Sequence, residues 1–172
     1  MVDASSRGLY YRERGWWPGV PLADAFAVHL RSDPDALAVV DDAGRRLTRA
    51  QLDNAAEHFA SRLTSLGVTG GDVVLIFMPN CSAWQIVLLG VLRAGAVPAS
   101  LPVRTDEANL TYVVELCGAQ AIVTAGEDDP SVCALAYKGA AACNSAPIVV
   151  VLEDEAKDVT ITMPRRAEPE LA

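Results

Sequence analysis

Asp72-Val73-Val74-Leu75-Ile76-Phe77-Met78-Pro79-Asn80 decides how the rest of the chain is read. It is followed by an apolar run from Cys81 to Ala94 and by Gly95-Ala96-Val97-Pro98-Ala99-Ser100-Leu101. Val73 to Met78 is β-branched, aromatic and almost continuously apolar, the pattern of a strand buried on both faces; a strand with one wet face would alternate. Pro79 cannot donate to a ladder and ends it. The next run is too long for a strand. Its Trp84, Ile86, Val87, Leu88, Leu89, Val91 and Leu92 wrap all round a helix, which predicts a largely buried one. Gly95 suits the left-handed residue that closes a helix, and Ala96 to Leu101 opens a second buried strand. Together these parts make a β-α-β unit with a right-handed crossover.

Toward the carboxyl end, Leu101-Pro102-Val103-Arg104 reads as a loop. A helix follows from about Asp106 to Leu116, capped by Thr105, with Asp106 and Glu107 in its first turn where negative charge suits the dipole. Gly118 stops it. Ala121 to Thr124 is a strand, and Asp129-Pro130 supplies a cap and a first-turn proline for a helix through about Ala142. Ile148 to Leu152 is a further strand, and residues 153–172 read as an edge segment and tail.

Toward the amino end, Gly70-Gly71 turns the chain into the central strand. Thr48-Arg49-Ala50-Gln51 fits the capping-box pattern. It begins a helix to about Leu66 with Leu52, Ala55, Ala56, Phe59, Leu63 and Leu66 on one face, ended by Gly67. Ala36 to Val40 and Arg46 to Thr48 form a hairpin around Asp41-Asp42-Ala43-Gly44. Leu22, Ala25, Phe26 and Leu30 have helical spacing. Residues 1–20 form an aromatic-rich arm, loose over residues 1 to 8. Tyr10, Tyr11, Trp16 and Trp17 then pack against the body, with Pro18-Gly19 as a turn; the alternative is a ligand-stacking platform.

Alternating strands and helices make the fold class α/β: a mainly parallel sheet flanked by helices on both faces, with residues 21–152 as its body. Val73 to Phe77, Val97 to Ser100, Ala121 to Thr124 and Ile148 to Val151 are expected in one sheet. Trp84 is expected in the core, so that Trp84→Ala would cost about 3–5 kcal/mol.

At 172 residues the chain is one domain or slightly more, and a globular chain of this size buries roughly 70% of its unfolded surface. An apolar fraction of 51% argues against disorder. The net charge of −8, with only the pairs Arg45-Arg46 and Arg165-Arg166 as basic clusters, argues against a nucleic-acid partner. Cys81, Cys117, Cys133 and Cys143 contain no C-x-x-C pair, and with His29 and His58 the only histidines a zinc site is not expected. Reduced thiols and the lack of a signal-peptide pattern predict a cytoplasmic protein. Pro79, Asn80 and Arg93 interrupt every long apolar stretch, so no transmembrane segment is expected.

No G-x-x-x-x-G-K-[ST], G-x-G-x-x-G or G-x-S-x-G occurs. The carboxylate clusters Asp41-Asp42, Asp128-Asp129 and Glu153-Asp154-Glu155 read as solvated turns rather than acid/base pairs. Asn80 is the most site-like polar residue, because open α/β sheets bind ligands at the carboxyl ends of their strands. It is either a helix N-cap or a substrate-proximal residue. The residues themselves lead no further than an α/β domain without a recognisable catalytic set.

Three segments, in order and spacing, resemble the amino-terminal part of the adenylate-forming ligases: acyl-CoA synthetases, aryl-acid AMP ligases, peptide-synthetase adenylation domains and luciferases. Leu47-Thr48-Arg49-Ala50-Gln51-Leu52 is similar to the family's Leu-Thr-Tyr-x-Glu-Leu helix start. Gly67-Val68 through Asp72-Val73-Val74, then Met78-Pro79-Asn80, is similar to its Gly-Val-x-x-Gly-Asp-x-Val … Pro-Asn run. Leu92-Arg93-Ala94-Gly95-Ala96-Val97-Pro98 is similar to its Leu-x-Ala-Gly-Ala motif. The resemblance covers about residues 20 to 150. Arg49 stands where the family has an aromatic residue, and Gln51 where it has an acid. Tyr11 … Gly15-Trp16-Trp17 and Leu101-Pro102 look most like aryl-acid AMP ligases and related aryl carboxylate-CoA ligases, with fatty acyl-CoA synthetases the other subclass.

The resemblance implies a parent enzyme of fatty-acid or siderophore metabolism that uses ATP and magnesium. It would activate a small carboxylic acid as an adenylate and pass the acyl group to coenzyme A or a carrier-protein thiol. The family's lysine-bearing phosphate loop and mobile carboxyl-terminal domain are expected beyond Ala172. The chain alone is therefore expected to be an inactive, truncated piece that binds no cofactor and can self-associate through uncovered apolar surface. The alternative from another class is a non-catalytic α/β binding or interaction module.

Overall fold

The computed structural model describes residues 4–17, 19–126, 130–155 and 158–162. In chain order the elements are α1 (Ala4–Glu13), α2 (Leu22–Ser32), β1 (Leu37–Val40), β2 (Arg46–Thr48), α3 (Arg49–Ser65), β3 (Val73–Ile76) and α4 (Ser82–Arg93). There follow β4 (Val97–Ser100), α5 (Glu107–Cys117), β5 (Ala119–Ala125), α6 (Pro130–Ala142), β6 (Ile148–Glu155) and β7 (Asp158–Thr162). The main sheet has the order β4-β3-β5-β6-β7. The first four strands are parallel, with Val73 beside Val97, Leu75 beside Ile122 and Val123 beside Val150. β7 adds antiparallel to β6. All four expected strands are present and parallel.

The period of two along β3 separates two cores. Val74 and Ile76 face α3 and α4, in a cluster with Phe59, Leu63, Val87 and Val91. Leu75 and Phe77 face α5 and α6, in a cluster with Leu110, Val114, Val132 and Ala136. Val74, Leu75, Ile76 and Phe77 are all fully buried, as an unbroken apolar run on a doubly covered sheet requires. α3 and α4 touch backbone to side chain: a methyl at Gly90 would stand 2.9 Å from the Ala56 carbonyl and 2.6 Å from Phe59. Only glycine fits at that crossing.

Local signals explain most boundaries. The capping box is complete, the Thr48 hydroxyl accepting from Gln51 N–H at 3.2 Å while the Gln51 amide accepts from Thr48 N–H at 2.9 Å. The Gly-Gly-Asp turn is held by Asp72, whose carboxylate accepts from both the N–H (2.7 Å) and the hydroxyl (2.8 Å) of Thr69. Gly95 and Gly118 follow their helices at positive φ.

Several expectations need correction. Residues 4–8 belong to α1 rather than to a loose start. Tyr10, Tyr11, Trp16 and Trp17 pack on one another, ring centroids 5.6–5.9 Å apart, while Tyr10, Trp16 and Trp17 stay exposed; the rings contact each other rather than being buried against the body. Pro18 and Asp128-Asp129 lie outside the described residues. On α2 the buried residues are Ala23 and Leu30, while Leu22 and Phe26 face out. α5 is capped by Asp106, which accepts from Asn109 N–H at 2.8 Å, not by Thr105. β4 is an edge strand with Val97 49% exposed, not a doubly buried one. Glu153-Asp154-Glu155 continues β6 instead of forming a turn. Trp84 is half-buried at the border of the first core rather than inside it, because it sits on the flank of α4 that meets the hairpin.

Candidate functional site

β3 lies between β4 and β5, so the chain leaves it to one side and returns on the other. That reversal opens a crevice at the carboxyl ends of the strands, where open α/β sheets take ligands. The last ladder bonds there run from Phe77 N–H to Val123 O (2.8 Å) and from Leu101 N–H to Ile76 O (3.1 Å). Pro79, lacking an N–H, then lifts the backbone out of the sheet, and Asn80 follows as an exposed residue at the rim.

Asn80 is not the cap of α4. The N-cap position is Cys81, which makes no side-chain capping bond. The cap arrives from the hairpin instead: Asp41 Oδ2 accepts from Ser82 N–H at 3.2 Å, and Asp41 Oδ1 accepts from Arg45 N–H at 2.8 Å. Arg45 Nη1 donates to the buried Ser82 hydroxyl oxygen at 3.3 Å. The Ser82 hydroxyl bond, ahead of the backbone and Arg45 contributions, holds the Asp41 carboxyl below its usual range. A carboxylate at a helix N-terminus meets orphan N–H groups and the positive end of the dipole. Asp41 is therefore a tertiary cap rather than a solvated turn residue. Sequence reading missed it because its partner is 41 positions away and no local pattern links them.

Beside this clamp lies an open pocket of about 370 Å³ lined by Val39, Val40, Asp41, Asp42, Asn80, Cys81, Trp84 and Gln85. The sequence-predicted Asn80 is thus brought together with the Asp41-Asp42 turn, which composition alone treated as unrelated. At the carboxyl end of β5 the Thr124 hydroxyl is fully buried without a hydrogen-bond partner among the described residues, a second polar group that the apolar strand pattern concealed. His29, His58 and Lys138 are exposed on α2, α3 and α6, and Lys157 lies outside the described residues. Among the described residues no three His, Cys, Asp or Glu side chains gather as a metal site. No disulfide joins the four cysteines, and burial, then the Glu115 charge, pushes the Cys143 thiol up. No helix of the described residues is long and apolar enough to cross a membrane.

Known proteins resemble this chain in sequence and fold. The family model described as AMP-binding enzyme matches residues 26–171. The salicyl-AMP ligase / salicyl-S-ArCP synthetase of Mycobacterium tuberculosis is 34% identical over 125 residues, 70% of this chain and 22% of its own length. The medium-chain fatty-acid–CoA ligase of Escherichia coli K12 is 34% identical over 114 residues, 66% of this chain and 20% of its own. The apo structure of Mycobacterium smegmatis MbtA aligns with a TM-score of 0.75 at 28% identity, covering 98% of this chain and 33% of that one. The chain spans about a fifth of the length of these two curated relatives.

Proposed function

The chain belongs to the family of AMP-binding enzymes, and from that membership we propose that it is the amino-terminal part of an ATP-dependent ligase that activates a carboxylic acid. In the reaction so proposed, a carboxylate oxygen attacks the α-phosphorus of ATP, the bond to the β-phosphate oxygen breaks, and pyrophosphate leaves. A thiol of coenzyme A or of a carrier protein then attacks the acyl carbon and displaces AMP. The family match over residues 26–171 is the observation that carries this reading.

The 172 residues hold no glycine-rich, lysine-bearing loop, and the N-terminus of α4 is taken by the Asp41 carboxylate, which would repel a phosphate. The described residues thus do not fit a magnesium triphosphate. We accordingly assign nucleotide and metal binding to residues outside this chain, and to this chain the role of one wall, with Asn80 substrate-proximal. The chain by itself is then inactive. Val97, Tyr112 and Leu116, exposed on β4 and α5, support its self-association when alone. Four cysteines with no disulfide among them support a cytoplasmic location.

An aryl acid is the proposed substrate class, supported by the likeness to the salicyl-AMP ligase over 70% of the chain. The test is acid-dependent pyrophosphate release by a longer polypeptide carrying these residues, with salicylate, benzoates and medium-chain fatty acids. Aryl acids are expected to give the higher kcat/KM; a preference for fatty acids contradicts the subclass. Release with neither class would favour the non-catalytic module.

A further inference from the structure

The pocket beside α4 carries a second reading, independent of the ligase chemistry. We propose that Asp42, Trp84 and Gln85 form a receptor for the guanidinium group of an arginine side chain presented by a protein partner. Asp41 is spent on Ser82 and Arg45, but the Asp42 carboxylate, one residue on and exposed, takes part in no hydrogen bond or ion pair among the described residues. The Gln85 amide, exposed on the first turns of α4, is equally uncommitted. Trp84 lines the same pocket, half-buried and packed against the core, so the indole is held in place before any ligand arrives. An indole wall with a carboxylate and an amide oxygen at its margin accepts hydrogen bonds and attracts cations.

A guanidinium fits these groups better than the other cations. It is planar, stacks on an indole face, and offers donors in a fork to a carboxylate. A metal ion lacks ligands, since no three metal-binding side chains gather there. The pocket of about 370 Å³ is open, so a free metabolite would remain largely in water. A partner's side chain needs only its head covered, because the surrounding interface supplies the rest, and arginine is a common anchor of such interfaces. The net charge of −8 adds long-range attraction for a basic partner surface.

The test is an amide and indole NMR titration of the 172-residue chain with N-acetyl-arginine amide and, separately, N-acetyl-lysine amide. The expected result is saturable shifts centred on Asp42, Trp84 and Gln85 with the arginine probe, and weaker binding of the lysine probe. Asp42→Asn is expected to weaken the arginine probe about two- to fivefold, and Gln85→Ala to weaken it as well, both variants keeping native peak dispersion. Shifts that fail to saturate, equal response to lysine, or binding unchanged in Asp42→Asn would each overturn the proposal.

Discussion

Asp41 ties the hairpin to the central helix, and its weight is measurable at one residue. Asp41→Ala removes the acceptor of both Ser82 N–H and Arg45 N–H. Loss of a helix cap typically costs about 1 kcal/mol, so a drop of that size in urea denaturation is expected. Asn80, one residue from the N-cap but bonded to no helix N–H, should behave oppositely. Asn80→Ala is expected to leave stability within about 0.5 kcal/mol while lowering acid-dependent pyrophosphate release by the longer polypeptide. Loss of stability without loss of activity would return Asn80 to a structural role. Trp84→Ala is expected to cost about 2 kcal/mol in the same denaturation experiment, less than a fully buried tryptophan, because the half-buried side chain borders the pocket.

Among elements, the contact between α3 and α4 leaves least room. Gly90→Ala adds a methyl against a backbone carbonyl, which cannot swing aside, and is expected to destabilise by about 1–2 kcal/mol after the helix-propensity gain is subtracted. Gly139→Ala on α6 meets the side chain of the buried Leu110, 2.6 Å from its Cδ2 and 2.9 Å from its Cγ; it is expected to destabilise too, but by less than Gly90→Ala, because a side chain can shift where a backbone carbonyl cannot. Equal costs at the two positions would show that backbone and side-chain obstacles do not differ here. The same contrast marks what could be read in advance. The β3–α4–β4 unit, the capping box and the parallel sheet were legible because periodicity and caps act over a few residues. The Gly90 crossing, the Asp41 cap and the exposed face of α2 were not, because each depends on which distant element lies opposite. Leu22 and Phe26 have the spacing of a buried stripe, yet Ala23 and Leu30 are the buried residues of α2.

On the scale of the whole molecule, one polar network fastens α2, α3 and α4 together. Arg93, almost buried, pairs with Asp53, donates to the Asp53 carbonyl at 2.7 Å and reaches Glu57, while Arg31 Nε donates to Asp53 at 3.2 Å. Burial works to raise the Asp53 pKa, but the bonds and charges of Arg93 and Arg31 outweigh it and hold the carboxyl below its ordinary range. Asp41 and Asp72 are depressed as well. A depressed carboxylate stabilises the fold above its unfolded pKa, about 3.9 for aspartate, and loses that contribution as pH falls through the folded value. Stability is therefore expected to fall as the pH drops below about 4. Asp53→Asn should lower stability at neutral pH and flatten that acid limb; an unchanged limb would remove Asp53 from the account. These residues are proposed to wall an adenylate-forming ligase whose nucleotide chemistry lies outside them. Pyrophosphate release with ATP, magnesium and salicylate, compared between the 172-residue chain and the longer polypeptide, tests that role most directly. Salicylate-dependent release by the longer polypeptide and none by the 172 residues alone is expected; acid-dependent release by the 172 residues alone would refute the proposed role.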